Sequence, residues 1–169
     1  GTCSGGLGAG AGRIGSIGAR AAQAFGASRI VLSDLVPGRR ERARSCGATE
    51  PVGPTVVSVA SDLPPFDAFI DASGAPRAVS DGIKAVGPAG AAVLVGLGNS
   101  EMTLPVEHIQ TLEVTVTGIF RYTGTWPVAI ELVASGQVDL DSLVTGRYGL
   151  DEVREALESD TDPESLKSV

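Results

Sequence analysis

The sequence predicts an α/β fold with a doubly wound, mostly parallel sheet. Apolar, β-branched runs alternate with helical patterns over the first 119 residues, which is the order that places helices between parallel strands. A glycine-rich turn at residues 10–15 precedes the first helical pattern, and an acidic residue, Asp34, ends the next apolar run. These observations together indicate a Rossmann-type sheet organised around one ligand-binding turn.

The turn contains Gly10, Gly12 and Gly15 in the spacing G-x-G-x-x-G. In this pattern the first glycine permits a tight turn, the second lets the backbone approach a pyrophosphate, and the third lets the helix pack closely on the sheet. The helix start also favours phosphate through its N–H groups and its dipole. Asp34 follows Gly12 by 22 residues, so its carboxylate can accept the ribose hydroxyls of an adenosine and repel the 2′-phosphate of NADP. The pattern predicts NAD binding; the alternative, in a chain of 23 glycines, is a glycine-rich loop without function.

The sequence after the turn predicts alternating helices and strands. The helix after the turn is predicted over residues 13–26, with Gly26 as its stop. Pro37 starts a basic helix that ends before Gly47. Within it, Arg39 has two interpretations, a solvated helix charge or a guanidinium near an adenine. The strands of this part are predicted at residues 1–9, 28–34, 55–59, 66–71, 89–95 and 112–119, with a further helix at residues 76–86.

Two details of these strands concern the site. The first strand is weak or truncated in sequence, because residues 1–9 hold one Leu and no Val or Ile, and glycine weakens a strand interior. Ser73 and Gly74 directly follow the strand at residues 66–71. Loops that leave the carboxyl ends of parallel strands line the ligand crevice, so residues 73–75 are predicted to contact the cofactor.

The sequence changes in character from Phe120 onward, where a polar-aromatic turn begins. This part is predicted to contain a helix, a strand and a second helix, at residues 126–134, 143–150 and 152–158. Thr125 and Asp151 are the candidate caps of the two helices. The chain is therefore divided into residues 1–119, the NAD-binding domain, and residues 120–169, a C-terminal segment.

Composition excludes several classes of function. A net charge of −7 over 169 residues argues against a nucleic-acid or anionic-membrane partner, which would need a basic face. No apolar run approaches the ~20 residues that span a bilayer, and no secretion signal is visible. Cys3 and Cys46 form no C-x-x-C pair and are interpreted as thiols of a reducing, cytoplasmic environment. The Tyr-x-x-x-Lys pair of short-chain reductases and the G-x-S-x-G elbow of hydrolases are both missing from the sequence.

From Gly10 onward the sequence resembles the zinc-dependent medium-chain dehydrogenases, most closely the sorbitol (polyol) dehydrogenases. The matching stretches are Gly-Ala-Gly-Arg-Ile-Gly at 10–15, Ser-Asp-Leu at 33–35 with Arg39, Ile-Asp-Ala-Ser-Gly-Ala at 70–75, Val-Gly-Leu-Gly at 95–98, Gly-Ile-Phe-Arg-Tyr-Thr at 118–123, Thr-Trp-Pro at 125–127 and Leu-Val-Thr at 143–145. The string Phe-Arg-Tyr-x-x-Thr-Trp-Pro is the most specific, since it separates polyol dehydrogenases from simple alcohol dehydrogenases.

The resemblance implies NAD as cofactor and a polyol or other secondary alcohol as substrate of the full-length enzyme. The expected cofactor contacts are Gly10, Gly12, Arg13, Ile14, Gly15, Asp34, Leu35, Arg39, Ser73, Gly74, Val95, Gly96, Leu97, Ile119 and Phe120. Arg121 and Tyr122 match positions that reach polyol hydroxyls in the family. The alternative for these two is a turn whose arginine pairs with a surface carboxylate.

The sequence also departs from the family. The catalytic domain that supplies Cys, His and Glu zinc ligands is absent from the match, and a catalytic zinc needs about three protein ligands. The single histidine, His108, and two unpaired cysteines do not supply them. We therefore expect no catalytic residue and no metal ligand in this chain, which alone would be inactive, with residues 120–169 packing on that domain in the full-length homo-oligomer. The alternative is a non-catalytic NAD-binding or partner-binding module, or an inactive gene fragment.

Overall fold

A parallel sheet forms the centre of the computed structural model, which describes residues 5–53, 64–98, 101–162 and 164–169. In these residues the sheet has six strands in the order β3-β2-β1-β4-β5-β6, and every neighbouring pair is parallel. The strands are β1 (Gly5–Ala9), β2 (Arg29–Ser33), β3 (Glu50–Val52), β4 (Phe66–Asp71), β5 (Val86–Leu94) and β6 (Thr115–Gly118). This strand order is that of a doubly wound nucleotide-binding sheet, so the predicted fold class is confirmed.

Helices cover both faces of the sheet. Those that pack on it are α1 (Arg13–Ala24), α2 (Pro37–Ser45), α3 (Pro76–Lys84) and α4 (Val106–Thr111). Two further helices, α5 (Trp126–Ala134) and α6 (Val153–Glu158), follow in the C-terminal part. Ile30 and Leu32 pack in one apolar cluster with residues of α1 and α2, whereas Val31 packs in a second cluster with residues of α3. This explains the uninterrupted apolar run of β2, because both of its faces are buried, as is usual in parallel sheets. None of the helices in the described part of the chain is long and apolar enough to span a bilayer.

The glycine-rich first strand forms despite its weak sequence. Residues Gly5–Ala9 pair with β2 on one side, and Gly6 to Ala9 pair with β4 on the other. A Cβ atom added at Gly8 would overlap the side chain of Leu32, so the larger neighbour fills the space above this glycine. Leu7 and Ala9 are buried in the core. The central strand is thus stabilised by its neighbours rather than by its own side chains; residues 1–4 lie outside the described part.

Several predicted boundaries shift. The helix expected to reach residue 86 ends at Lys84, and Val86 already belongs to β5, where Ala89 has a positive φ of 56° and the pairing register with β4 changes. The strand expected at residues 112–119 is shorter and is preceded by α4, a helix that was not predicted. Strand β3 was also missed, and the strand predicted at residues 55–59 lies outside the described residues.

The C-terminal part agrees with prediction for α5 and differs after it. The strand predicted at residues 143–150 is limited to β7 (Val144–Gly146), which pairs in parallel with β8 (Lys167–Ser168). The prediction that Asp151 caps the following helix is wrong. A 3-10 turn, Leu150–Glu152, precedes α6, and the side chain of Glu152 accepts the backbone N–H of Gly149 at 2.7 Å. Thr125 lies at the N-cap of α5, but its side chain makes no capping hydrogen bond.

Candidate functional site

The carboxyl ends of five strands lie side by side in register. Pairing joins Ser33 to Ala9, Ala9 to Asp71, Asp71 to Leu94 and Leu94 to Gly118. We call these five residues the strand-end row. It spans four strand spacings of about 4.8 Å, or about 19 Å. Four predicted site residues come directly after members of this row: Gly10, Asp34, Val95 and Ile119. They therefore all lie at the carboxyl end of the sheet.

The glycine turn has the geometry that its spacing predicts. Gly10 has a φ of +94°, and its N–H donates to the carbonyl of Ser33 at 2.8 Å. A Cβ atom at Gly15 would overlap the carbonyl oxygen of Gly10, so any side chain there would push helix α1 away from the turn. Gly12 is the N-cap of α1 and is followed at once by Arg13. The N–H groups of the first helical turn have no acceptor within the helix and can face an anion.

Asp34 points at this turn. Its Oδ2 accepts the N–H of Ala11 at 2.7 Å, and its Oδ1 accepts the N–H of Val36 at 2.8 Å. A carboxylate has about four acceptor positions, so these two bonds fix its orientation and leave capacity for further donors. Leu35, the next residue, is 76% exposed.

Arg39 lies beside the glycine turn, so it is more than a solvated charge on the surface of α2. A Cβ atom at Gly12 would be 3.9 Å from its Nη1, so the guanidinium is close to the backbone of the turn. A pocket of about 270 Å³ opens there, and it is lined by Gly12, Arg13, Ile14, Arg39, Ala72, Ser165 and Leu166. We call it the turn pocket. Ser165 and Leu166 were not predicted, because only the fold brings them to the turn.

Asp71, a further residue that the sequence did not assign, organises the middle of the row. Its side chain is 1% exposed and accepts the N–H and the hydroxyl of Ser73 at 3.0 and 2.7 Å and the N–H of Gly74. Its carbonyl accepts the N–H groups of Val95 and Gly96 at 2.9 and 3.0 Å. One residue therefore holds the loops that leave β4 and β5.

These two loops are interlocked. Gly74 has a φ of +66°, and a Cβ atom there would lie 2.6 Å from the carbonyl oxygen of Leu97. A Cβ atom at Gly96 would overlap the backbone nitrogen of Gly74 and come within 2.8 Å of Asp71 Oδ2. Only glycine fits at both positions. The close packing of the two loops therefore requires Gly74 in the first loop and Gly96 in the second.

The end of β6 places Ile119 at the carboxyl end of the sheet, and residues 120–122 follow it in the chain. The N–H of Ile119 donates to the carbonyl of Leu94 at 3.0 Å, which places it beside the Val95 loop. Phe120 is 72% exposed and carries the Arg121 guanidinium 5.3 Å from its ring centre, and Tyr122 packs edge-to-face on Trp126 at 5.1 Å. None of these four residues lines the turn pocket.

A zinc site does not fit the described residues. Within residues 5–53, 64–98, 101–162 and 164–169, no group of three or more His, Cys, Asp and Glu side chains is arranged to hold a metal. His108 hydrogen-bonds through Nε2 to the carbonyl of Val86 at 3.0 Å, and Cys46 is a free, buried thiol. Cys3 lies outside the described part.

Comparison with known proteins shows the following similarities. A family model described as zinc-binding dehydrogenase matches residues 14–135. Sorbitol dehydrogenase of Ovis aries is 36% identical over 160 residues, covering 89% of this chain and 45% of that protein. "Probable D-xylulose reductase A" of Aspergillus clavatus is 34% identical over 171 residues, covering 95% and 48%. The chain thus spans about half the length of the curated relatives that it matches.

Solved structures share the fold. The 2R,3R-butanediol dehydrogenase of Bacillus subtilis has a TM-score of 0.89 at 26% identity, covering 98% of this chain and 49% of that one. An Escherichia coli protein described as a short chain alcohol dehydrogenase complexed with NADH has a TM-score of 0.90 at 20% identity, covering 98% and 51%. The second likeness is one of fold alone.

Proposed function

Because this chain belongs to the zinc-binding dehydrogenase family, we propose that it is the NAD-binding part of a polyol (sorbitol-like) dehydrogenase. The observation that carries the proposal is the contact between the Asp34 carboxylate and the glycine turn, at the hydrogen bond to Ala11. The fold of the chain is also that of a protein complexed with NADH. The proposed activity of the whole enzyme is the transfer of hydride from a secondary alcohol to NAD.

Each end of the cofactor has its own group of residues in this proposal. The N–H groups at the start of α1 face the pyrophosphate, and the guanidinium of Arg39 beside Gly12 adds positive charge there. Asp34 accepts the hydroxyls of the adenosine ribose, and its charge disfavours the 2′-phosphate of NADP. The cofactor contacts of the turn and of β2 are Gly10, Gly12, Arg13, Ile14, Gly15, Asp34, Leu35 and Arg39.

The nicotinamide end is assigned to the loops after β4, β5 and β6. Asp71 holds the loops after β4 and β5 in place. Ile119, directly after β6, lies beside the second of these loops through its hydrogen bond to Leu94. The contacts proposed here are Ser73, Gly74, Val95, Gly96, Leu97, Ile119 and Phe120. When bound, NAD supplies the hydride acceptor of the reaction. Arg121 and Tyr122, at the exposed end of this group, are proposed to donate hydrogen bonds to the polyol.

The chain alone is proposed to bind cofactor without oxidising alcohols. The zinc implied by the family has no ligand set among the described residues, so we derive no step of the reaction through it. The same observation favours a second candidate function, a non-catalytic NAD-binding or partner-binding module. The two candidates differ in one respect. In the first, this NAD-binding part acts together with a catalytic domain in the same protein; in the second, it binds NAD or a partner without one.

Residues 120–169 are proposed to pack on the additional half that the relatives possess. All nine residues of α5 are described and none is buried. An apolar groove of about 570 Å³ runs along this helix, and its lining includes Ile17, Ala21, Trp126, Ile130, Val133 and Leu140. The exposed apolar side chains of this helix, among them Trp126 and Ile130, support the proposal that this surface is an interface. The division into residues 1–119 and 120–169 is proposed on this basis.

The remaining assignments follow from the family and from charge. We propose a small polyol or secondary alcohol as the substrate of the whole enzyme, which would be a homo-oligomer in the cytoplasm. The free thiol of Cys46 is consistent with a reducing compartment. A net charge of −7 disfavours nucleic acid as a partner.

Calorimetric titration of the chain with NAD and NADP tests the proposal. We expect saturable binding of one NAD per chain, with NADP at least about tenfold weaker, a difference of about 1.4 kcal/mol. Absence of NAD binding, or equal binding of the two cofactors, would contradict it.

A further inference from the structure

The chain near its C-terminus lies against helix α2. Arg42 on this helix donates from Nη1 to the backbone carbonyl of Glu164 at 2.8 Å and from Nη2 to the Glu164 carboxylate at 3.1 Å. Its guanidinium therefore holds both the backbone and the side chain of one residue. We call residues 164–166 the wall segment, because the last two of them form one side of the turn pocket.

Gly38 provides the space for this contact. A Cβ atom added at Gly38 would overlap the carboxylate of Glu164. Gly38 lies in the first turn of α2, where an acidic group is favoured by the helix dipole. The carboxylate thus lies over the helix start, between Gly38 and the guanidinium of Arg42 one turn later.

The wall segment continues from this contact into the turn pocket. Ser165 and Leu166 line that pocket together with residues of the glycine turn and Arg39. Leu166 is 2% exposed and packs in a small cluster with Cys46 and Leu143. Helix α2 therefore contacts the pocket twice, directly through Arg39 and indirectly through the segment that Arg42 holds.

We propose that Arg42 and Glu164 are positioning residues for the cofactor: they hold the wall segment against the turn pocket, and NAD binding and docking of the segment strengthen each other. The inference rests on the proposed NAD site. The physical basis is the number of contacts with the cofactor. When the wall segment is docked, Ser165 and Leu166 can contact the phosphate part of NAD, and when it is displaced they cannot. Coupling of this kind is reciprocal, so NAD must favour the docked segment by the same factor that docking favours NAD.

Gly38→Ala is the sharpest test, because it displaces the Glu164 carboxylate while replacing glycine by a better helix former in α2. Glu164→Gln removes the charge at nearly constant volume. Gly18→Ala is the matched control, a helical glycine of α1 around which an added Cβ atom meets nothing within 4 Å. NAD affinity is measured by calorimetry on the full chain, and hydrogen exchange of residues 164–169 is measured with and without NAD.

We expect Gly38→Ala and Glu164→Gln to weaken NAD binding about three- to fivefold, the range that a partly exposed ion pair supports, and Gly18→Ala to leave it unchanged. In the parent chain NAD should slow exchange of residues 164–169, and in Gly38→Ala this slowing should be smaller.

Each contrary result has a defined meaning. If the parent chain binds no NAD, the proposed function and this inference both fail. If the parent binds NAD but the two variants bind it equally well, or if NAD leaves exchange of residues 164–169 unchanged, the inference alone is overturned. A purely structural ion pair would lower thermal stability in Glu164→Gln without changing either of these measurements.

Discussion

The Asp34 carboxylate and the backbone N–H of Ala11 are joined by a hydrogen bond of 2.7 Å. This bond links the tip of β2 to the centre of the glycine turn, so the two parts of the chain with which an adenosine diphosphate group is expected to interact are fixed relative to one another. Asp34 also accepts the N–H of Val36, which holds the start of α2. The same side chain is therefore expected to serve both the local structure and the cofactor.

Replacement of Asp34 by Ala is expected to weaken NAD binding by about tenfold or more, because hydrogen bonds to a charged group contribute about 1.5–3 kcal/mol. Loss of the negative charge should also reduce the discrimination against NADP. The measurement is the ratio of the two dissociation constants, determined by calorimetry.

Asp34→Asn is the control for this change, since it removes the charge and keeps one oxygen acceptor, although its NH₂ group then faces the N–H of Ala11 or of Val36. It should lose less NAD affinity than Asp34→Ala and still bind NADP better than the parent. Unchanged dissociation constants for both cofactors in Asp34→Ala would show that the carboxylate does not contact the ribose.

Gly15→Ala is expected to lower the free energy of unfolding by about 1–3 kcal/mol, the usual effect of forcing extra volume into packed structure. The added methyl group would overlap the carbonyl oxygen of Gly10, which is backbone and cannot rotate away. Gly18→Ala on the same helix meets nothing within 4 Å and should be neutral or stabilising by up to about 1 kcal/mol. Urea unfolding of the two variants, compared with the parent, measures the difference; equal stabilities of Gly15→Ala and Gly18→Ala would refute the close approach.

The buried carboxylate of Asp71 provides a third prediction. Asn in its place keeps one oxygen acceptor but presents an NH₂ group to the N–H groups of Ser73 and Gly74. We expect a loss of about 2 kcal/mol in unfolding free energy, together with weaker NAD binding as the two loops move. Asp141→Asn serves as control, since its side chain is 94% exposed and it should change stability by less than about 0.5 kcal/mol. A parent-like stability of Asp71→Asn would exclude the organising role.

The proximity of Asp34 to the glycine turn could be predicted because its signal is local, whereas the cofactor contacts of both remain predictions. Each glycine of the turn acts on residues close to it in the chain, and only one helix and one strand separate the turn from Asp34. The role of Asp71 could not be predicted, since it depends on loops at residues 73–74 and 95–96 that only the sheet register brings together. The contribution of Ser165 to the turn pocket is the same kind of long-range effect.

The errors in secondary structure have related causes. Strand β1 is not one of them: it was predicted as weak or truncated, and Gly5–Ala9 pairs on both sides, with Leu32 filling the space above Gly8. Helix α4 has only six residues, too few for a helical period to be visible beside the strand that follows it. Asp151 does not cap α6, because it lies inside the 3-10 turn Leu150–Glu152; this turn begins with the N–H of Gly149 donating to the Glu152 side chain.

Metal analysis provides a fourth prediction. We expect the purified chain to hold no stoichiometric zinc, because its described residues offer no group of three metal-ligating side chains and His108 is engaged by the Val86 carbonyl. Elemental analysis after dialysis measures the metal content directly, and a chelator should leave NAD affinity unchanged. About one zinc per chain would overturn both this prediction and the proposal that the chain alone is inactive.

Hydrogen exchange compares two helices of equal length. Helices α3 and α5 each have nine residues and a proline in the first turn, but α3 buries Val79, Gly82 and Ile83, whereas the nine residues of α5 are all accessible. Because amides exchange through local opening where few apolar contacts resist it, α5 should exchange much faster than α3, and residues 120–169 faster on average than residues 28–118. In a longer chain that also carries the half that the relatives possess, exchange should slow in α5 and stay unchanged in α3. Equal protection of the two helices in the chain alone would indicate that the apolar residues of the groove beside α5 are already buried. The division of the chain at residue 120 would then have no physical basis.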